Sequence, residues 1–321
     1  MNWRLNKVAD VITKATRESF GMALCELAKE NDKIVVMDAD LAGATKTSIF
    51  KKEFPERFFD CGIAEGNMMC IAAGLASCGK IPVAASFAMF ATGRAFEQIR
   101  NSVGYPALNV KIAGSHAGIS TGEDGATHQC LEDVALMRTI PGMTVLCPAD
   151  HYEMMAATKA AIEHVGPVYI RLGRLAIDSF NDPETYKFEL GKGITLHEGN
   201  DITVIATGLV VNEARKAVEE LESEGKSVRL INIHTIKPID REIILKAAKE
   251  TGRIITVEEH NVIGGLGDAV CDVTSSEYPV PVRKVGVYDR YGYSGPAWEL
   301  LEKFGLTASG IKKVILEELS K

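Results

Sequence analysis

The sequence predicts an α/β protein built as two parallel-sheet domains, the second smaller than the first. Three observations lead there. Short, β-rich apolar runs alternate with amphipathic helical stretches along almost the whole chain. Those runs are apolar throughout, as strands covered on both faces must be. The alternation lapses once, over residues 173–200, and then resumes.

In the first part, KIVVMDAD (33–40), IPVAASF (81–87), LNVKIAG (108–114), MTVLCPAD (143–150) and PVYIRL (167–172) read as buried strands. Residues 16–30, 64–78, 94–103 and 151–164 read as helices. In the first of these, Phe20, Leu24, Leu27 and Ala28 recur at helical spacing. GRLAIDSFNDPETYKFELGKG, with an Asp-Pro pair and scattered glycines, lacks a helical period and reads as a connector. Beyond it, DITVIATG (201–208), SVRLINI (227–233) and RIITVEE (253–259) read as strands, and 211–224, 240–250, 266–276 and 307–319 as helices. The domains therefore fall at 1–185 and 186–321.

A chain of 321 residues is long enough for two cores, and 46% hydrophobic with 25% charged residues is a globular composition. The net charge of −7 excludes a general nucleic-acid binder but leaves room for a local basic pocket. No stretch reaches the roughly 18 apolar residues of a membrane span, and MNWRLNKVADVITKATRESF lacks the apolar core of a signal peptide. Seven cysteines without a CxxC pair point to reduced thiols and a cytoplasmic setting. Cys25, Cys70 and Cys78 fall on apolar helical faces and read as small core residues.

Four stretches invite a chemical reading. NVIGGLGDAV (261–270) is a glycine-rich turn into a helix, the kind that binds phosphate on backbone N–H groups. Its spacing is not GxGxxG and it has no Walker lysine, so a packing turn is the expected role. In FFDCGIAEGNMMCIAAGLA (58–76), Glu65 falls in the first turn of an apolar helix, where the dipole alone favours an acid. It also stands beyond a strand end, where open α/β sheets hold ligands, and both readings stand. Phe87 and Phe90 in SFAMFATGR (86–94) lie three apart and read as core before cofactor box. The fourth stretch, HAGISTGEDGATHQCLED (116–133), sets two histidines and several acids in a glycine-bearing loop. His116 directly follows a strand, and Asp124 and His128, four apart, are possible zinc ligands, but Gly125 favours a turn and no third ligand has tight spacing. A solvated polar loop is the other reading. The density of polar groups marks a site without naming it.

Together these stretches resemble a known family. ATRE (15–18), DADLAG (38–43), CGIAEGNM (61–68), SFAMF (86–90), GSHAGISTGEDGATHQCLED (114–133) and YIRLGR (169–174) are similar, in order and interval, to the pyrimidine-binding half of transketolase. ITVIATG, IHTIKPID, VEEH and GYSGPAWELLEKFGLT are similar to its C-terminal domain. The resemblance spans essentially the whole chain, and GEDGATHQ is its most specific piece. It implies a thiamine-diphosphate pyrimidine-binding domain followed by a smaller transketolase C-terminal domain. The family anchors Mg²⁺ and the diphosphate through a GDG motif with a later Asn, and this chain has no GDG. The resemblance therefore implies the C-terminal subunit of a split transketolase. Its thiamine diphosphate is shared with a separate N-terminal chain that binds the Mg²⁺, within a heterotetramer holding two copies of this subunit.

By this resemblance Glu65 is catalytic and hydrogen-bonds N1′ of the aminopyrimidine from an apolar pocket. Phe87 and Phe90 pack on the ring, and Asp40 and Ile63 contact the cofactor. Asp124 and His128 contact substrate hydroxyls, with His128 assisting proton transfer at the oxygen that becomes an aldehyde. Arg17, His116 and Arg171 form a phosphate clamp, a task suited to the planar fork of arginine. The activity implied is transfer of a two-carbon ketol unit between sugar phosphates, as in the pentose phosphate pathway. Three positions depart from the pattern: Gly66–Asn67 where His often follows the Glu, Gly93 where a third aromatic is often found, and Ala44 where a phosphate-binding Ser is common. They leave the sugar open.

Two enzyme rivals are close. The β subunit of a 2-oxoacid dehydrogenase E1 shares length and architecture, but ATRE and GEDGATHQ look like transketolase. Deoxyxylulose-phosphate synthase carries its diphosphate domain in the same chain. A non-catalytic scaffold has no need of Glu65, His116, Asp124 and His128. VEEH and GYSGP are expected to serve subunit contacts and no chemistry.

Overall fold

The structure, a computed structural model, describes residues 12–321, so the first part of the segment read for a signal peptide lies outside the described residues. The first domain contributes β1 (Thr13–Ala15), β2 (Ile34–Asp38), β3 (Phe58–Asp60), β4 (Ile81–Phe87), β5 (Lys111–Ser115), β6 (Thr144–Leu146), β7 (Val168–Arg171) and β8 (Ala176–Asp178). Six of these form a parallel array in the order β6-β7-β5-β4-β2-β3, while β1 and β8 make a separate antiparallel ribbon. Every residue of β2 and β4 is buried, which explains their unbroken apolar runs. Alternate side chains serve opposite faces. Val36, Val83 and Ile170 meet Phe20, Leu24 and Met154 from helices Thr16–Glu30 and His151–Glu163. Met37, Ala84 and Tyr169 join Met68, Met69 and Ile99 on the other side.

The second domain contributes β9 (Ile194–His197), β10 (Ile202–Ala206), β11 (Val228–Asn232), β12 (Thr235–Lys237), β13 (Ile254–Asn261) and β14 (Val282–Val287). Its sheet runs β14-β13-β10-β11-β9, parallel except for β9 at one edge. The strand β12 leaves it and pairs antiparallel with β6, becoming the seventh strand of the first sheet. The boundary at 185 is therefore not a clean cut in space.

Other expectations need correction. β9 lies inside the expected connector, half-buried at an edge, and β14 carries Arg283 and Lys284, so neither shows an apolar run. The helix expected over 94–103 is replaced by wide π-helical turns at Met89–Arg94 and Ile99–Gly104 around a short α-turn. Such turns recur at functional sites. A Cβ on Gly93 would lie 2.3 Å from Met89 Cε, so Met89 fills the space beside the position of the missing aromatic. Cys25 is buried, but Cys70 and Cys78 are exposed. The helix Glu65–Ser77 buries Met68, Met69, Ala72 and Ala73 and leaves Cys70 and Ile71 on an outer face. None of the helices among the described residues is long and apolar enough to cross a membrane.

Parallel strands end on one edge of their sheet. Asp38, Asp60, Phe87, Ser115 and Arg171 are the last residues of five such strands. The loops that follow carry Asp40, Glu65, Phe90, His116 and the 118–129 segment, so the topology gathers the candidate residues at one rim.

Candidate active site

Glu65 begins its helix just beyond β3 and is only 1% exposed. Its Oε2 accepts a hydrogen bond from Arg94 at 2.8 Å, while Oε1 is buried without a partner. An unpaired buried acceptor costs on the order of 1–3 kcal/mol, so Oε1 marks the place of a donor that the chain does not supply. Beside it, Phe87 and Phe90 stack with centroids 5.9 Å apart, and the Arg94 guanidinium lies 4.7 Å from the Phe90 ring. The pair is more than core, because it joins two parts of the site. His116 stacks on Phe87 at 3.9 Å, and His128 meets Phe90 edge-on at 5.2 Å. Asp40 is exposed in a left-handed conformation, with φ 64°, and Ile63 is 76% exposed.

A second group forms around Arg17. The buried Asp38 carboxylate accepts from Leu41 N, Thr45 Oγ1 and Thr47 Oγ1 at 2.6, 2.7 and 2.9 Å, which shapes the loop after β2. That loop presents the Ala44 carbonyl to Arg17 at 2.6 Å. Arg17 also lies 3.2 Å from His116 Nε2. A guanidinium cannot accept, so Nε2 does, and the network assigns the proton to Nδ1, which donates to Ser115 Oγ at 2.9 Å. Burial, followed by the charges of Arg17 and Arg174, pushes the His116 pKa down to about 3. The ring is thus neutral. Its backbone sits at φ 57°, a strained conformation held by the Thr121 hydroxyl donating to the His116 carbonyl at 2.6 Å.

Arg171 does not join this group. It is buried, with Nε donating to Asp133 at 2.8 Å and a terminal nitrogen donating to the carbonyls of Glu259 and Cys130 at 2.8 and 3.5 Å. Arg174 stands in its place. It lies on the turn beyond β7, pairs with Glu123 at 2.9 Å, donates to the Thr121 carbonyl, and adds its charge to the burial that lowers the pKa of Arg17. Sequence reasoning missed it. The usable signal is position, because 171 ends a strand buried at all four residues whereas 174 follows a glycine outside it.

Asp124 is exposed and His128 half-buried, both on the loop that follows His116. His128 Nδ1 lies 2.9 Å from the Thr127 hydroxyl. Among the described residues, no group of three or more His, Cys, Asp and Glu side chains is arranged to hold a metal ion. In NVIGGLGDAV, the N–H groups of Leu266 and Gly267 donate to the Glu258 carboxylate at 2.7 and 2.8 Å, so these donors are occupied within the chain.

Comparison with known proteins identifies both domains. The profile described as "Transketolase, pyrimidine binding domain" matches residues 13–178, and "Transketolase, C-terminal domain" matches 191–311. A protein of Methanocaldococcus jannaschii named as a transketolase C-terminal section is 49% identical, covering 97% of this chain and 98% of its own. The 6-deoxy-6-sulfo-D-fructose transketolase subunit of a Clostridium species is 46% identical, covering 94% and 93%. A solved structure described as "Split gene transketolase, inactive beta4 tetramer" superposes with a TM-score of 0.89 at 53% identity, covering 96% of this chain and 99% of that one.

Proposed function

Because the chain belongs to the transketolase family, with its pyrimidine-binding and C-terminal domains, we propose that it is the C-terminal subunit of a split, thiamine-diphosphate-dependent transketolase. It moves a two-carbon ketol unit from a ketose phosphate to an aldose phosphate only when joined to a separate diphosphate-binding chain. The observation that carries this reading is the free, buried Oε1 of Glu65 beside the stacked pair Phe87 and Phe90. An acceptor at a closed end and a flat aromatic wall fit an aminopyrimidine. Glu65, Phe87, Phe90, Ile63 and Asp40 would hold that end of the cofactor. When bound, the cofactor supplies the carbon nucleophile that breaks and remakes the carbon–carbon bond.

The chain's own residues then bind and orient the sugar. Arg17 and Arg174 grip its terminal anion, with neutral His116 as a hydrogen-bonding partner. Asp124 and His128 face its hydroxyls, and His128 handles the proton at the oxygen that becomes an aldehyde. The partner brings the GDG motif and Mg²⁺, and two copies of each chain make a heterotetramer in the cytoplasm. Two observations support association through this subunit: the split-gene relative self-associates as a beta4 tetramer, and an apolar face around Ile71 is left uncovered here. Pentose phosphates are the first substrates to test. A sulfonate-ended ketose is the second, favoured by the name of the Clostridium relative, since the three oxygens of a sulfonate can also accept from two arginines.

The decisive experiment measures conversion of xylulose 5-phosphate and ribose 5-phosphate by the chain alone and by the chain mixed with a GDG-bearing N-terminal subunit. Turnover is expected only in the mixture. Full activity of the isolated chain removes the split-subunit reading.

A further inference from the structure

Two motifs of the second domain have no part in the site described so far: VEEH (257–260) and GYSGP (292–296). Within the chain, both press on the loop that carries Asp124 and His128. We propose that Glu259 and the Gly292–Pro296 turn are positioning elements, through which the second domain holds the 118–129 loop in the shape that aims Asp124 and His128 at the sugar. The inference rests on the functional reading above for what the loop binds, but its structural content stands apart from it.

Glu259 lies on β13, is 3% exposed, and accepts the Ser120 N–H through Oε1 at 2.6 Å. The approach is so close that a Cβ on Gly118 would lie 2.3 Å from the same oxygen, and Gly118 itself has φ 88°. Only glycine fits there. The neck of the loop is closed by Gly118 N donating to the Cys130 carbonyl at 2.8 Å. Arg171 then spans the Cys130 and Glu259 carbonyls, and Asn261 N donates to Leu131 O at 2.8 Å. Both ends of the loop are thus tied to β13. This also gives Arg171 a purpose away from phosphate.

The far side of the loop is held by the second motif. Gln129 Nε2 shares its two hydrogens among three carbonyls, those of Ile119 and Gly122 at 3.2 and 3.1 Å and, across the domain boundary, that of Tyr293 at 3.0 Å. A Cβ on Gly292 would lie 1.9 Å from Gln129 Oε1, and one on Gly125 would lie 2.5 Å from Ser294 Oγ. Asp124 sits between the anchored Gly122 and Gly125, and His128 is next to Gln129. Every residue the loop offers to substrate is therefore flanked by a contact to the other domain.

The test is hydrogen–deuterium exchange on the full chain carrying Glu259→Ala or Glu259→Gln. A hydrogen bond to a buried carboxylate shifts the balance between pinned and open loop by roughly tenfold or more. Peptides spanning 118–129 should exchange faster by that factor in the alanine variant, with β2 and β4 unchanged. Glutamine keeps an acceptor oxygen and should restore most of the protection. If Glu259→Ala does not fold, Gly292→Ala, on a partly exposed turn, displaces Gln129 and carries the same test. In the enzyme reconstituted with its partner subunit, the same variants should raise KM for both sugars and leave thiamine diphosphate affinity unchanged. Unchanged loop exchange in the folded variants, or acceleration spread evenly over the chain, overturns the proposal. Complete inactivity of the reconstituted wild type condemns the functional reading alone, since loop exchange still decides the pin.

Discussion

On the wall proposed for the cofactor, Glu65 leaves a buried oxygen without a donor and Ile63 stands in the open, whereas on the wall proposed for the sugar Arg17, His116 and Arg174 are each bonded to neighbours in the same chain. The free groups also differ in kind. Glu65 keeps an unused acceptor, while the buried group without a partner among those three residues is a donor, Arg17 Nε. One wall awaits a donor and the other an anion. The contrast teaches which part of the site this chain completes alone: it pre-orders the sugar wall and leaves the cofactor wall unfinished.

The largest effect should come from the unfinished wall. Glu65→Gln keeps the shape but replaces an acceptor-only carboxylate, and turnover of the reconstituted enzyme should fall by roughly 10²–10⁴-fold. Assembly with the partner, followed by size-exclusion chromatography, should be unchanged. A rate near that of the wild type would take Glu65 out of the mechanism and leave the comparison without its first term.

Next come the two arginines three positions apart. Burial opposes the charge on Asp133, yet Arg171 and His260 hold its carboxyl below its usual range. Arg171→Met leaves that buried carboxylate unpaired and should destabilise the chain by about 3–5 kcal/mol. Arg174→Met should change stability by less than about 0.5 kcal/mol while raising KM for the sugar phosphate by roughly tenfold. Thermal melting and steady-state kinetics on both variants separate them. If Arg171→Met folds normally and loses only substrate affinity, the clamp includes Arg171 after all.

The same pair shows where the sequence was legible. Strands buried on both faces write themselves as continuous runs, so β4, β5 and the loops beyond them could be placed, and with them Phe87 and His116. Edge strands carry no such signature. β9 is half-buried and β12 pairs in another domain's sheet, a choice made by packing across the chain and not by local pattern. Arg171 and Arg174 have the same chemistry in one dimension and are distinguished only by which carboxylate each meets in three. Cys70 and Cys78 were misplaced for a related reason: the helix Glu65–Ser77 is apolar on nearly every side, and such a helix does not tell which face the chain itself covers.

The smallest effect predicted is an absence of one. A histidine with an ordinary pKa of 6.5 would gain charge in mild acid and tighten its hold on an anion. His116 does not, because burial and the charges of Arg17 and Arg174 push its pKa down to about 3, and its Nε2 is already engaged by Arg17. The linkage follows from the sign. The unfolded chain takes up a proton near pH 6.5 that the folded site refuses, so the stability tied to neutral His116 is fully present above that pH and is lost as pH falls towards 3. Acid therefore weakens the fold before it charges the clamp. The slope of log KM for the sugar phosphate between about pH 5 and 8 should be the same in wild type and in His116→Asn, even though the variant binds more weakly throughout. A slope that is steeper in the wild type, with tighter binding at the acid end, would mean that His116 does acquire a proton there. The sugar wall would then be an adjustable surface and not the pre-ordered one that sets it apart from the wall of Glu65.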